Sequence, residues 1–221
     1  MRIIDLSHEI ASGAAAYPGL PSPVIDTYLD WEGSHGTYAV GTEFRIGRIT
    51  LVGNTGTYLD TPAHRYRDGF DLSGLPLEAV VELPGVLVRT ADRAISLGAF
   101  DGVDVRGRAV LVHTGWCRHW ETERYGADDH PYLTAEAADC LAERGAALVG
   151  IDSVNVDDTS TVSAGHRPVH STLLAAGIPI VEHLCQLDLL TAAPFTFTAV
   201  PVKVNGLGTF PVRAYARQGA S

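Results

Sequence analysis

Apolar and polar positions alternate along EFRIGRITLV (43–52), the period of a strand. PGVLVRT (84–90) and RAVLVHTG (108–115) are compact apolar runs ended by polar residues or glycine, the pattern of strands buried on both faces. RIIDLS (2–7) and TFTAVPVKV (196–204) read as an opening and a late strand. In YLTAEAADCLAERGAALVGID (132–152) the period changes to that of a helix. Thr134 can cap it, Ala138 and Leu141 fall on its inner face, and Gly145 stops it before the strand ALVGID. A second helix–strand unit follows. Pro168 suits a first helical turn, VHSTLLAA continues it, Gly177 ends it, and IPIVEHL is the strand. The Pro/Gly-rich 14–23 and the polar 155–168 read as irregular loops, the latter long enough to cover a site. The pattern predicts one mixed α/β domain over residues 1–221.

One polar stretch interrupts this order: GNTGTYLDTPAHRYRDG, residues 53–69. Side chains two apart on a strand share a face, so a regular strand here would point Asn54, Gly56, Tyr58 and Asp60 one way. Pro62 would end the strand and place His64 in the turn beyond it. The same spacing also suits a hydrogen-bonded turn. Glu182 is a carboxylate inside the apolar run IPIVEHL, costly unless paired or bound to a cation. His170 falls in the first turn of its helix, and His183 alternates away from Glu182 as a structural residue. His8 reads as structural, His113 and His119 as framing a pocket wall, His166 as a loop residue near substrate, and His35 and His130 as loop surface. Tyr17, Trp31 and Trp116 are candidate walls for an aryl group.

A formal net charge of -10 disfavours phosphate backbones, and the basic residues form no run, so nucleic-acid and membrane-surface binding are excluded. No apolar run is long enough to span a bilayer, and no signal peptide is evident. Cys117, Cys140 and Cys185 are odd in number and far apart, which predicts free thiols and a cytoplasmic setting; Cys117 alone has polar neighbours. Neither a GxSxG elbow nor a phosphate-binding glycine loop is present.

Taken in order, DLSHEI, the YPGLP loop, TGTYLDTPAH, VLVHTGW, LVGIDSVNVD, VHSTLLAAGIPIVEHL and AVPVKVNGLGTFPVRAYA resemble the cyclase family of metal-dependent hydrolases. That family includes bacterial kynurenine formamidase and isatin hydrolase. The resemblance implies a swivelling β/β/α fold with a mixed central sheet, a homodimer or homotetramer, and a small-molecule substrate. It also implies hydrolysis of a small amide, cyclic amide or lactone, with arylformamidase activity on N-formylkynurenine as the leading expectation.

The family signature HxGTHxDxPxH reads NTGTYLDTPAH here. Asp60 and His64 match it, and His170 and Glu182 match the family's later ligands, but Asn54 and Tyr58 replace two metal-binding histidines. An amide oxygen is a weak zinc ligand and a tyrosine binds tightly only as phenolate. The resemblance therefore implies one divalent metal, zinc or manganese, held by Asp60, His170 and Glu182. His64 would be the acid–base residue, Tyr58 an oxyanion donor and Asn54 an orienting group. Two alternatives stay open: a metal-free cyclase or lyase using Tyr58 and His64, and an inactive small-molecule-binding member.

Overall fold

The computed structural model describes residues 1–14, 17 and 19–219; of the Pro/Gly loop expected at 14–23, residues 15, 16 and 18 lie outside the description. The strands are β1 (Arg2–Asp5), β2 (Val24–Leu29), β3 (Ile46–Thr50), β4 (Tyr58–Asp60), β5 (Leu83–Arg89), β6 (Ala94–Ile95), β7 (Ala109–His113), β8 (Tyr132–Leu133), β9 (Leu148–Ile151), β10 (Ile180–Glu182), β11 (Phe195–Thr198), β12 (Thr209–Pro211) and β13 (Tyr215–Gln218). The helices are α1 (Trp31–Ser34), α2 (Ala135–Glu143) and α3 (Pro168–Ala175), joined by several single 3-10 turns.

Nine strands form one mixed sheet in the order β1-β13-β11-β5-β7-β9-β10-β4-β12. Its centre, β5 through β10, is parallel, and antiparallel strands extend it on both sides. Residues 212–214 alone join β12 at one edge to β13 beside the other. Four Cα steps reach at most about 15 Å. Laid flat, the intervening strands would span roughly 34 Å at ~4.8 Å each. The sheet must therefore curl until its ends meet. Leu6 N–H donates to Ala214 O at 2.9 Å, Cys185 N–H to Leu6 O at 3.0 Å, and Val212 N–H to Thr57 O at 2.9 Å across that closure.

The curl divides the apolar residues into two cores. Leu111 and Leu148 point inward with Leu59 and Phe197. Val110, Val112, Val149 and Ile151 point outward against Leu141 of α2 and Leu173 of α3. Both faces of β7 and β9 are thus covered, which is why those segments are apolar throughout. Each such side chain contributes roughly 1.5–3 kcal/mol on burial. The expected signals act at the ends of α2: Thr134 Oγ1 accepts from Ala137 N–H, and Gly145 adopts φ +75°. Pro168 opens α3, and Gly177 at φ +72° follows its end.

EFRIGRITLV forms a strand as expected, at Ile46–Thr50. Its strand, β3, pairs only with β2 in a detached two-stranded sheet, and every residue of β3 is exposed. The alternation is real, but no part of the described chain covers either face.

Candidate active site

β4 lies between β10 and β12, and the register decides its neighbours: Tyr58 stands opposite Glu182, and Asp60 opposite Thr209. The Tyr58 hydroxyl donates to Glu182 Oε2 at 2.5 Å, and Thr209 Oγ1 donates to Asp60 Oδ1. Regular alternation does not reach back to Asn54. Gly56 sits at φ +63°, and a Cβ there would lie 2.8 Å from Ile10 Cγ1, so Asn54 enters the site from a loop. Beyond the strand, Pro62–His64 forms a 3-10 turn, as Pro62 predicts. Gly208 closes over that turn, where any Cβ would collide with the His64 backbone. This close approach lets Thr209 Oγ1 reach His64 Nδ1 at 2.7 Å.

The first turn of α3 supplies His170. Asp157 accepts from Val169 N–H at 2.7 Å, from His170 N–H at 3.0 Å, and from His170 Nδ1 at 2.7 Å. One carboxylate thus caps the helix and fixes the imidazole. The Nε2 that remains faces Asp60 Oδ2 at 3.7 Å and Glu182 Oε1 at 3.8 Å. Glu182 Oε1 also accepts from Val156 N–H at 2.6 Å. No Arg or Lys pairs with Glu182 among the described residues; a phenol and an amide N–H satisfy it instead.

Asn54, Tyr58, His64, His170 and Glu182 all line one cavity of about 720 Å³, with Asp60 fully buried beneath. The loops expected to cover the site contribute Tyr17 and Leu20 from 14–23, and Gly165, His166 and Arg167 from 155–168. Asp60, His64 and His170 bring ligand atoms within 4.8 Å of one another.

The charges strain against burial. Desolvation opposes a charge on His170, but the Asp157 hydrogen bond and the facing Asp60 and Glu182 carboxylates prevail and raise its pKa to about 10. Burial pushes Glu182 up to about 7. Burial and the same two carboxylates hold the Tyr58 phenol well above its ordinary range, so it is a neutral donor and not a phenolate. Asp60 remains below the usual carboxylate range despite its burial, through His170 and His64.

This donor set fits a divalent cation. Among the described residues Asp60 Oδ2 is buried without a hydrogen-bond partner, although the carboxylate's other oxygen is satisfied. His170 Nε2 points at it, with Nδ1–H anchored on a carboxylate in the manner of an orienting shell around a metal ligand. A cation there would replace the proton that the carboxylates otherwise hold on His170. Asp60 and His170 would hold it, with Glu182 and His64 within reach.

Thr209 and Asp157 were invisible as site residues in the sequence. Asp157 had a faint signal in the acidic run DSVNVDD, and Thr209 had none, since only strand register brings it to Asp60. Three expectations are corrected. His130 is fully buried, with its ring nitrogens 3.0 Å from Pro131 O and 2.8 Å from Thr159 Oγ1, not on the surface. Trp31 lies in the exposed α1, and Trp116 is packed with its indole N–H on Tyr125 O, so of the three aromatic candidates only Tyr17 lines the cavity. Cys117 is a free thiol, as expected, and burial pushes its pKa up to about 11, away from the reactive thiolate. His8 is stacked on Trp120 with ring centroids 3.9 Å apart, in keeping with a structural role.

The chain is 26% identical over 216 residues to kynurenine formamidase of Geobacillus thermodenitrificans, covering 97% of each. It is 27% identical over 224 residues to kynurenine formamidase of Salinibacter ruber, covering 98% of each. Isatin hydrolase A from Labrenzia aggregata, bound to benzyl benzoate, shares the fold at a TM-score of 0.82 and 23% identity, over 97% of this chain and 93% of that one. The family model described as "Putative cyclase" matches residues 4–158. With that match and the α/β fold, the chain belongs to the putative cyclase family.

Proposed function

We propose that this protein is a metal-dependent hydrolase of small amides, cyclic amides or lactones, with aryl formamides as its leading substrates. The observation that carries the reading is the convergence of Asp60, His64 and His170 on one cavity, with Asp60 Oδ2 buried and unpartnered. The kinship with proteins named kynurenine formamidase supports it. The metal is one zinc or manganese ion, with Asp60, His170 and Glu182 as its ligands. When bound, such a cation lowers the pKa of water and polarises a carbonyl.

The chain's own residues do the rest. Thr209 has one hydroxyl proton and gives it to Asp60, so it accepts from His64 Nδ1–H. That fixes the tautomer and leaves the His64 Nε2 lone pair to take a proton from attacking water and return it to the leaving nitrogen. The Tyr58 hydroxyl donates a hydrogen bond to Glu182, holding that carboxylate in place. The same hydroxyl would donate to a developing oxyanion where that oxygen displaces Glu182 as its acceptor, and Asn54 would orient the same oxygen. Gly165–Arg167 and Tyr17 complete the lining of the cavity.

Elemental analysis of protein purified without added metal should give about one equivalent per chain, lost in Asp60→Ala, together with aryl formamide hydrolysis that a chelator stops. A metal-free protein with full turnover would sink the reading in favour of a metal-independent lyase using Tyr58 and His64. No helix is long and apolar enough to cross a membrane among the described residues. We propose a homodimer or homotetramer, because Val24, Ile25, Tyr28, Ile46 and Ile49 leave the β2–β3 hairpin apolar and exposed.

A further inference from the structure

We infer that the substrate carries a carboxylate, bound at the cavity mouth by Arg65 and Arg167. The inference rests on the proposed hydrolase reading for the reaction, but not for the binding. Both arginines line the same cavity as His64 and His170. Six other arginines form ion pairs with carboxylates, whereas neither of these two does among the described residues.

Each is nevertheless held in place. Arg65 Nε donates to Ser171 Oγ at 3.3 Å, and Ser171 Oγ donates to the Arg167 carbonyl at 2.7 Å. Arg167 Nη1 donates to the carbonyls of His166 at 2.8 Å and Asp158 at 3.0 Å, with Ser163 Oγ at 3.4 Å. Neutral acceptors position a guanidinium without neutralising it. One residue of α3, Ser171, thus links two uncompensated cations, Arg65 just past the Pro62–His64 turn and Arg167 at the start of α3.

Their setting makes the arrangement informative. The chain has a formal net charge of -10, so its overall field repels anions. Two unpaired guanidiniums beside one opening reverse that field locally. A guanidinium matches a planar carboxylate with two parallel N–H donors, which a compact ammonium cannot do. The carboxylates of the cavity, Glu182 and the buried Asp60, lie at the floor with His170, where the cation belongs. A substrate held at the rim by its carboxylate would reach down with its scissile carbonyl toward His64 and His170. Rim and floor therefore divide the work of recognition and reaction.

The test compares 4-formamidobenzoate with 4-formamidobenzamide, which share the scissile bond and differ in charge. The native protein should prefer the acid by tenfold or more in kcat/KM, mostly through KM, and the preference should shrink with added salt. Arg65→Gln and Arg167→Gln should each narrow the ratio, the pair together should bring it near unity, and Arg→Lys at either position should restore part of it. Arg106→Gln, an exposed charge elsewhere on the surface, should leave the ratio as it was. A native ratio near unity, or one that survives the double variant, overturns the inference. If neither compound is hydrolysed, the proposed activity fails, and calorimetric binding of the same two compounds decides the inference separately. Tighter binding of the acid that disappears in the double variant upholds it; equal binding overturns it.

Discussion

His170 and His183 are both buried, yet the protein drives their charges in opposite directions. His170 has Asp157 on Nδ1, with Asp60 and Glu182 before Nε2, and its pKa rises to about 10. His183 donates Nε2–H to Val154 O at 2.9 Å, has no partner on Nδ1, and is ringed by Tyr58, Trp120 and Tyr125; burial lowers it to about 3. The two environments are separated by little more than Tyr58. Its hydroxyl lies 2.5 Å from Glu182 Oε2 and 3.5 Å from His183 Nε2. The backbone helps to divide them: β10 ends at Glu182, and His183 takes φ +58°, unusual for a side chain of its size. Burial alone therefore says nothing about a histidine's role. Carboxylate neighbours make the charged, cation-hungry side, and aromatic neighbours make the inert one.

The comparison can be broken most severely at His64, on the reactive side. His64→Ala should lower kcat on an aryl formamide by ~10²–10⁴-fold while leaving metal content near one equivalent, as expected for loss of a general base. Metal loss with the activity would make His64 a ligand instead. Asp157→Asn comes next. It keeps the size of the helix cap but weakens the anchor on His170, and should cut metal affinity or activity by ~10–100-fold. Competition with a chelating dye reads the affinity directly, and an unchanged value would show that His170 needs no orienting carboxylate.

Tyr58→Phe acts on the wall between the two sides. It leaves Glu182 Oε2 buried without its donor and should cost ~1–3 kcal/mol of stability in urea unfolding. Full activity in that variant would end the oxyanion role proposed for Tyr58. The smallest effect belongs to the aromatic side, at His8. Burial lowers its pKa from 6.5 to about 4. Between those values the unfolded chain binds a proton that the folded chain refuses, so stability is fully present above 6.5 and falls as pH drops toward 4. His8→Gln should flatten that part of the pH–stability curve, by on the order of 1 kcal/mol given the partial solvent access. An unchanged slope would mean that His8 is protonated in the fold.

Chain order and period made much of the fold legible. The apolar runs of β5, β7 and β9, and the caps Thr134, Gly145, Pro168 and Gly177, lie where their residue types require. Asp60, His64, His170, Glu182, Tyr58 and Asn54 could be named in advance because they fall in recognisable positions of one motif and one helix–strand unit. β12 and β13 gave little local signal, and they are the strands whose short connection curls the sheet closed. The alternation of β3 marks a strand but leaves its exposure open, because alternation records which side is apolar and not what covers it.

By itself, then, the sequence determined the elements and the residue types available for chemistry, since propensity, capping and side-chain period act over a few neighbouring positions. Which of those residues meet was decided by the tertiary structure. Tyr58 opposite Glu182, Thr209 opposite Asp60, Asp157 under His170, and Arg65 joined to Arg167 through Ser171 depend on strand register and helix packing between distant segments. Those contacts fix the tautomer of His64, the state of Tyr58 and the charge at the cavity mouth. No local pattern encodes them, because each depends on the field of groups far away in the chain.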